Sequence, residues 1–184
     1  MRTFISVELP DKVKKKAAEL INELKQDSPG VKWVSAQDLH ITLKFLGWVA
    51  DEKLDQLIDL TAKAAAGCGS FKARFEGLGT FPAGRIPRVV WVGTAEGGGK
   101  LCQLAKDLEQ TLSAAGFRSE AREPKPHLTL GRVKDKKGLG SLVKKINSVR
   151  KAKFGEALVD RIYIMKSTLT QNGPIYEKYQ DVKL

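Results

Sequence analysis

Apolar and polar positions along this chain follow two periods, which alternate from one end to the other. Residues 4–9 alternate as in a β-strand, and the apolar residues between Val13 and Leu24 recur at helical spacing after the start signal Pro10-Asp11. The second half of the chain repeats the order of strand, helix, strand, helix and strand. Strands that alternate with helices in this way predict an α+β fold, in which the helices pack on the outer faces of the sheets.

The predicted elements form two sets with a similar order. The first set has strands over residues 4–9, 31–34, 39–46 and 71–76, a helix after Pro10 and a second helix capped by Asp51. The second set has strands over residues 88–92, 127–133 and 154–169, a last strand from Ile175 after a turn at 171–174, and helices after Gly97-Gly98-Gly99 and around Leu142. Residues 77–87 are rich in glycine and proline and form the predicted crossover between the sets.

This repetition predicts one domain over residues 1–184 with two lobes, approximately residues 1–80 and 88–184. Two alternatives stay open at this point. Strands can be exchanged between the lobes, and both sets of strands can belong to a single continuous sheet.

The two histidines of the chain each lie in a copy of one short motif, His-x-Thr followed by leucine. The copies are Leu39-His40-Ile41-Thr42-Leu43 and Pro126-His127-Leu128-Thr129-Leu130, and their histidines are 87 residues apart. Because side chains in a strand alternate between faces, each histidine shares a face with its threonine. A single copy is a weak signal, but two copies at matching places in the repeat favour a functional site over two ordinary structural histidines.

The residue types in this motif fit acid–base chemistry on a phosphate. Histidine titrates near neutral pH, so one imidazole can accept a proton while the second donates one. Thr42 and Thr129 can donate hydrogen bonds to phosphate oxygens that gain negative charge in the transition state. A zinc site is disfavoured, because two histidines are too few ligands and no carboxylate has zinc-ligand spacing.

The composition indicates an anionic partner and a reducing compartment. Lys and Arg outnumber Asp and Glu by 32 to 21, which gives a formal net charge of +11 and favours nucleic acid, although a lysine-rich solvated surface has the same composition. Cys68 and Cys102 lack the spacing of a metal or redox motif and fit a reducing compartment. No segment reaches the roughly 20 apolar residues of a membrane span, and the N-terminus lacks the apolar run of a signal peptide. We therefore expect a soluble cytoplasmic protein.

Five segments, taken together, resemble a known family. Residues 1–10, 33–47, 81–93, 126–133 and 166–176 are similar to the bacterial and archaeal RNA 2′,3′-cyclic phosphodiesterases, first named 2′-5′ RNA ligases, of the two-histidine phosphoesterase superfamily. The resemblance covers nearly the whole chain in the family's order. It implies a bilobal fold with pseudo-twofold symmetry, a mostly antiparallel sheet in each lobe, a central groove that holds both motifs, and no metal or other cofactor.

The resemblance also implies an activity. It is the hydrolysis of RNA 2′,3′-cyclic phosphate ends, tRNA fragments among them, to a 2′-phosphate by a monomer, with ATP-independent 2′-5′ joining of RNA ends as a related reaction. By family usage His40 is the proton donor and His127 the proton acceptor. The residues alone do not separate these roles, because a symmetric pair exchanges them when the reaction reverses.

Arg132 is the expected third phosphate ligand, since the family places a basic residue shortly after the second motif. It lies five residues beyond His127, so in a regular strand it faces away from the histidine. Arg132 can reach the groove only if the strand bulges or bends at Gly131.

Several residues near the motifs have both a functional and a plain structural interpretation. Lys44 is in phase with His40 and Thr42, so it is expected to line the groove or to be solvated. Aromatic residues that can stack on a base or pack in the core are Phe45, Phe81 and Tyr176. Trp33 and Trp91 are expected in the core, and Arg85 and Arg88 are expected as phosphate contacts or exposed loop charges.

Two alternatives to the RNA phosphodiesterase remain. One is a non-catalytic RNA-binding module, which predicts salt-sensitive binding and no product. The other is a phosphodiesterase whose substrate is a small cyclic phosphate.

Overall fold

Helices and strands alternate along the computed structural model, which describes residues 1–83, 86–171 and 173–184. In those residues the strands are β1 (Arg2–Glu8), β2 (Val31–Trp33), β3 (His40–Trp48), β4 (Phe71–Phe81), β5 (Val89–Glu96), β6 (Leu128–Val133), β7 (Lys153–Val159), β8 (Arg161–Thr170) and β9 (Gly173–Lys183). The helices are α1 (Asp11–Lys25), α2 (Leu54–Ala65), α3 (Gly98–Ala114) and α4 (Leu139–Ser148), with 3₁₀ turns at Ala36–Asp38 and Asp51–Lys53.

All these strands belong to one antiparallel sheet with the order β7-β4-β5-β6-β3-β1-β8-β9, and β2 pairs with β6. The strands that follow the two histidine motifs, β3 and β6, are neighbours at its centre. They are joined by a single residue pair, Ile41 with Leu128. The sheet therefore consists of two antiparallel halves, β3-β1-β8-β9 and β6-β5-β4-β7, and the predicted α+β class is confirmed.

The halves of the sheet are not the halves of the chain. Strand β4 follows α2 in sequence but pairs with β5 and β7, and the C-terminal hairpin of β8 and β9 returns to pair with β1. Helices α2 and α3 pack together over the first half, and α1 and α4 cover β7 and β4. Long connections thus tie the two halves to each other.

Three predicted boundaries are wrong. Residues 77–81 belong to β4 and not to a crossover loop. Gly77, at φ +83°, lies in a register shift between β4 and β5. Gly79 leaves space for the Trp91 ring, whose Cζ2 would lie 2.2 Å from a Cβ added at this position. The strand region 154–169 is interrupted at Asp160 between β7 and β8. Asp51 lies in a 3₁₀ turn beside the N-terminal ammonium at 3.8 Å, and α2 begins after Lys53.

Three predicted positions lie outside the described residues: Gly84 and Arg85 of the crossover and Asn172 of the predicted turn.

The apolar stripe of α1 confirms the helical interpretation of its spacing. Its buried residues are Val13, Ala17, Leu20, Ile21 and Leu24. Leucines and isoleucine that alternate with the motif residues are buried in the same way: Leu39, Ile41, Leu43, Leu128 and Leu130. The core thus lies on the face of β3 and β6 opposite to the histidines and threonines.

A β-bulge in β3 changes the position of Lys44. Ser6 of β1 pairs with Thr42 and Ile5 pairs with Lys44, so Leu43 is an extra residue between two paired positions. One extra residue reverses the face of the sheet to which each following side chain points. Both expectations for Lys44, that it lines the groove or that it is solvated, are therefore wrong, since its side chain is fully buried on the core face.

The buried ammonium of Lys44 has hydrogen-bond partners in the last part of α3 and in the chain that follows it. Its Nζ donates to the Glu109 carboxylate at 2.5 Å and to the Arg118 carbonyl at 2.9 Å. Burial opposes ionisation of Glu109, but hydrogen bonds from Lys44, Ser113 and the Glu120 N–H together lower the pKa of Glu109 from 4.5 to about 2. This pair fixes the segment after α3 against β3.

We expect Lys44→Met to destabilise the protein by about 3 kcal/mol, because it leaves the partly buried Glu109 carboxylate without its cation. A carboxyl whose folded pKa is lowered stabilises the fold above its unfolded pKa, and that stability disappears as the pH falls from about 5 toward 2. Urea unfolding at pH 7 and at pH 3 should therefore show a smaller difference in the free energy of unfolding for Lys44→Met than for the unchanged protein.

The matched control is Lys106→Met, which removes the exposed ion pair of Lys106 with Glu123 at 3.4 Å. It should change the free energy of unfolding by less than about 1 kcal/mol. An equal effect of both substitutions would contradict a structural role of the Lys44–Glu109 pair.

Candidate active site

Both histidine motifs open onto one groove, which consists of two connected cavities. The first cavity, of about 1450 Å³, is lined by His40 and the second, of about 1300 Å³, by His127. Five residues line both cavities: Thr42, Phe45, Glu120, Thr129 and Arg132. The two hydroxyls and the arginine thus lie at the junction, with one histidine on each side.

Each imidazole is oriented by the same local hydrogen bond. The Nδ1 of His40 lies 2.6 Å from the Asp38 carbonyl oxygen, and the Nδ1 of His127 lies 2.6 Å from the Lys125 carbonyl oxygen. A carbonyl only accepts, so Nδ1 carries the proton and Nε2 is the basic nitrogen of the neutral ring. Among the described residues neither Nε2 has a hydrogen-bond partner, which leaves both free for a ligand.

Aromatic rings hold each imidazole from the sides. His40 contacts Phe4 at a centroid distance of 5.0 Å and the edge of Tyr176 at 5.3 Å. His127 contacts the edge of Phe81 at 5.1 Å and lies 6.3 Å from Trp91, which itself stacks on Phe81. The two sites are therefore built alike, and each ring has little freedom to rotate.

Burial of the two histidines disfavours their protonated forms. Burial lowers the pKa of His40 below its ordinary value of 6.5, the hydrogen bond to Asp38 opposes the shift, and the positive charge of Arg132 adds to it. Burial lowers the pKa of His127 in the same way, opposed by the Lys125 carbonyl and reinforced by Arg132. A bound anion acts in the opposite direction and favours the protonated form.

Arg132 reaches the groove because β6 bulges. Trp91 of β5 pairs with Thr129 and Val90 pairs with Gly131, so Leu130 is the extra residue. The bulge turns Gly131 toward Trp33, whose Cε3 would lie 2.7 Å from an added Cβ, and turns Arg132 to the same face as Thr129. The bend predicted at Gly131 is present, one residue earlier than the glycine itself.

Among residues 1–83, 86–171 and 173–184, no group of three or more histidine, cysteine, aspartate or glutamate side chains is placed to hold a metal ion. None of the helices in this described part has the length and apolar character of a membrane span.

A family model for the 2′-5′ RNA ligase superfamily matches residues 10–171. The chain belongs to the 2′-5′ RNA ligase superfamily. Curated relatives named RNA 2′,3′-cyclic phosphodiesterase match almost end to end. The protein of Archaeoglobus fulgidus is 40% identical and that of Methanocaldococcus jannaschii 37% identical, and in each case the match covers 96% of this chain and 97% of the relative.

Solved structures show the same fold. TT0787 of Thermus thermophilus superposes with a TM-score of 0.81 at 30% identity and covers 100% of this chain and 98% of its own. E. coli LigT in complex with 3′-AMP gives a TM-score of 0.80 at 23% identity and covers 100% of this chain and 97% of its own. The second likeness concerns the fold alone.

The aromatic residues singled out in the sequence lie around the groove of this superfamily member. Phe45 is 46% exposed and lines both cavities, Phe81 lines the second cavity beside His127, and Tyr176 lines the first cavity beside His40. Trp91 stacks on Phe81 and is half-buried instead of lying deep in the core.

Of the two loop arginines, Arg88 is exposed and lines the second cavity, and Arg85 lies outside the described residues.

Sequence reasoning missed three contributors to the site of this superfamily member. The carbonyls of Asp38 and Lys125 orient the imidazoles, but every residue has a carbonyl, so nothing in the sequence marks these two. Phe4 contacts His40, and only its place in the first alternating strand hinted that it could face the groove.

We expect Arg132→Gln to raise the pKa of both imidazoles, because the arginine charge disfavours their protonated forms. The chain has only two histidines, so an NMR titration of the imidazole C–H signals reports both pKa values directly. Lys134→Gln is the matched control, since Lys134 carries the same charge on an exposed side chain two residues further. An equal shift in both variants, or a fall in either pKa in Arg132→Gln, would refute this electrostatic account.

Proposed function

We propose that this chain hydrolyses 2′,3′-cyclic phosphates at RNA ends to 2′-phosphates, with His40 and His127 as acid and base and without a metal ion. The proposal is carried by one observation: two imidazoles with matching tautomers flank a junction where Thr42, Thr129 and Arg132 meet. Relatives named for this activity, 37% and 40% identical over nearly the whole chain, support the substrate class.

In the proposed reaction, water attacks phosphorus and the bond from phosphorus to ribose O3′ breaks. His127, neutral with a free Nε2, takes the proton of the attacking water. His40, protonated, gives its proton from Nε2 to the leaving O3′. The product carries a 2′-phosphate and a free 3′-hydroxyl, and the two imidazoles have exchanged protonation states.

The lowered pKa values suit this division of labour. A base with a lowered pKa is already neutral near pH 7, which fits His127. The acid needs a proton that the free site disfavours, and the negative phosphodiester supplies the compensating charge when it binds beside His40. Substrate binding and protonation of the donor are therefore coupled.

Thr42, Thr129 and Arg132 act on the non-bridging phosphate oxygens. These oxygens gain negative charge as water adds, so hydroxyl and guanidinium donors aimed at them stabilise the transition state more than the substrate. The β-branch of threonine restricts its χ1 angle and keeps each hydroxyl in place on a strand.

The related 2′-5′ joining reaction uses the same groups. The 5′-hydroxyl of a second RNA replaces water, His127 takes its proton, and the same bond to O3′ breaks. The cyclic phosphodiester provides the bond that is exchanged, so no ATP is needed.

We further propose that the protein works as a cytoplasmic monomer on RNA ends such as tRNA fragments. All five proposed catalytic and phosphate-binding residues come from one chain, and Cys68 and Cys102 are free thiols.

We expect His40→Ala and His127→Ala each to lower kcat by at least about 100-fold, because each removes a group that transfers a proton in the transition state. The assay follows the opening of an oligonucleotide 2′,3′-cyclic phosphate in the presence of EDTA, with circular dichroism to verify folding. Lys151→Ala, on the exposed turn between α4 and β7, is the control and should keep wild-type turnover.

The outcomes separate the alternatives. Salt-sensitive RNA binding without product would indicate a binding module. Wild-type turnover in the double histidine variant, or loss of turnover in EDTA that zinc restores, would refute the proposed mechanism. Equal kcat/KM on cyclic mononucleotides and oligonucleotides would favour a small cyclic phosphate as the substrate.

We expect Thr42→Val and Thr129→Val to lower kcat by about 100-fold with little change in KM, because valine keeps the shape and removes the donor to the developing charge. Steady-state kinetics on the cyclic-phosphate oligonucleotide measure both constants. A rise in KM with unchanged kcat would instead show that these hydroxyls bind the ground state and the transition state equally.

A further inference from the structure

An exposed tryptophan lies in the first cavity, away from the reacting groups. Trp48 ends β3 and is 83% exposed, the highest exposure among the large hydrophobic residues of the described chain. Two other exposed side chains, Tyr179 and Leu169, line the same cavity. An exposed apolar patch of this kind in a polar surround marks a binding surface, and neither acid–base chemistry nor phosphate binding uses it.

The bulges of β3 arrange its groove residues in one row. A second register shift, between Thr3 and Phe4 of β1, leaves Leu46 as another extra residue. The first cavity is consequently lined by His40, Thr42, Phe45 and Trp48 from this one strand. His40 pairs with Glu8 and Trp48 pairs with Arg2, so the row advances six residue rises along β1, about 20 Å. Stacked nucleotides rise about 3.4 Å each, so the row matches roughly six stacked nucleotides or fewer extended ones.

Cations accompany the aromatic row. Arg2 and Arg118 line the first cavity, and within the described residues neither has a carboxylate within 4.0 Å. Lys166 also lines it and pairs with Glu177 at 3.2 Å.

The carboxylates of the same cavity are engaged by the protein. Asp51 lies 3.8 Å from the N-terminal ammonium, Asp38 accepts from the Ser35 hydroxyl, and Glu120 accepts from the Phe45 N–H. Free cations interleaved with exposed rings are the features that bind single-stranded nucleic acid.

The proposed chemistry selects which strand enters this cavity. His40 donates a proton to O3′, and O3′ belongs to the terminal ribose of the strand that carries the cyclic phosphate. That ribose must therefore lie beside His40. A smaller cavity of about 360 Å³ also adjoins His40, but its cations Lys14 and Lys178 are both paired with Glu8. The larger first cavity, whose two arginines have no carboxylate partner within the described residues, is therefore the path that fits the strand. The second cavity, beside His127, is left for water or for an incoming hydroxyl.

We propose that the first cavity binds the unpaired 3′-terminal segment of the RNA that carries the cyclic phosphate, with Trp48 as the stacking platform for a base several nucleotides from the end. This inference rests on the proposed function, and it adds the polarity and the length of the bound strand. Phe45 contacts the nucleotides near the reacting phosphate, and Arg2 and Arg118, which lie beside Trp48 and Gly47, bind phosphates at the Trp48 end of the row.

The test measures kcat/KM for 2′,3′-cyclic phosphate substrates of one, two, four and eight nucleotides. In the unchanged protein kcat/KM should increase at least tenfold from the mononucleotide to the octanucleotide. Trp48→Ala should lower the ratio between the octanucleotide and the mononucleotide by about tenfold, mainly through KM, since a stacked base contributes on this scale. Trp48→Phe should retain most of the ratio.

Leu158→Ala is the matched control, because Leu158 is 65% exposed on β7 at the far edge of the sheet. It should leave the length dependence unchanged. An intact ratio in Trp48→Ala, with the unchanged protein still favouring the octanucleotide, would overturn the strand path and leave the proposed function in place. A lack of length dependence in the unchanged protein would overturn the strand path and would also favour a small cyclic phosphate as the substrate. Failure to open any of the substrates would instead refute the proposed function itself.

A second copy of the chain is the competing occupant of this surface. Light scattering at assay concentrations should show a monomer for both the unchanged protein and Trp48→Ala. A dimer that Trp48→Ala dissociates would overturn the proposal and assign Trp48 to self-association.

Intrinsic fluorescence gives a readout that does not depend on turnover. The protein has three tryptophans, and Trp33 and Trp91 are half-buried. Titration with an octanucleotide that ends in a 2′-phosphate should quench the emission of the unchanged protein, and Trp48→Phe should abolish most of this quenching. Equal quenching in both would contradict stacking on Trp48.

Discussion

The site depends on a change of side-chain phase at two β-bulges, one in β3 and one in β6. A regular strand presents every second residue to the groove, and it would turn Lys44 and Gly131 toward the ligand and Phe45 and Arg132 into the core. The extra residues Leu43 and Leu130 reverse this arrangement after each threonine. The histidine, the threonine and the fifth residue beyond the histidine then share one face in both strands.

The two bulges follow the same rule but serve different side chains. In β3 the residue moved to the core is Lys44, which is held by Glu109 and the Arg118 carbonyl, and the residue moved to the groove is the exposed Phe45. In β6 the corresponding positions are Gly131, packed against Trp33, and Arg132. The pseudo-symmetric frame therefore carries an asymmetric surface, with a cation on one wall and an aromatic ring on the other.

The positive charge of the groove has two effects, one on anion binding and one on the protonation of the imidazoles. A net charge of +11 attracts an anion, and Arg132 concentrates part of that charge between the two imidazoles. The same charge, together with burial, keeps the free histidines neutral by lowering their pKa values. An anionic ligand acts against this repulsion and favours the protonated imidazoles.

The sequence predicted most elements and the motif residues, because these depend on local periodicity and on rare residue types. The two histidines with their threonines could be found from two copies of one pattern, and the helices from their apolar stripes. The face to which Lys44 points could not be predicted, because the bulge depends on the pairing of β3 with β1. The strand over residues 77–81 could not be predicted either. Glycine there permits a register shift and the close packing of a tryptophan, so the segment forms a strand and not a loop.

The hydrogen bonds that orient the imidazoles have a consequence for evolution. Many histidine sites use a carboxylate side chain for this purpose, and one nucleotide change can remove it. Here the acceptors are the main-chain oxygens of residues 38 and 125, which every amino acid possesses. Mutation at either position leaves the acceptor in place as long as the backbone keeps its path, so the orientation and tautomer of each imidazole are insulated from drift in the flanking loops.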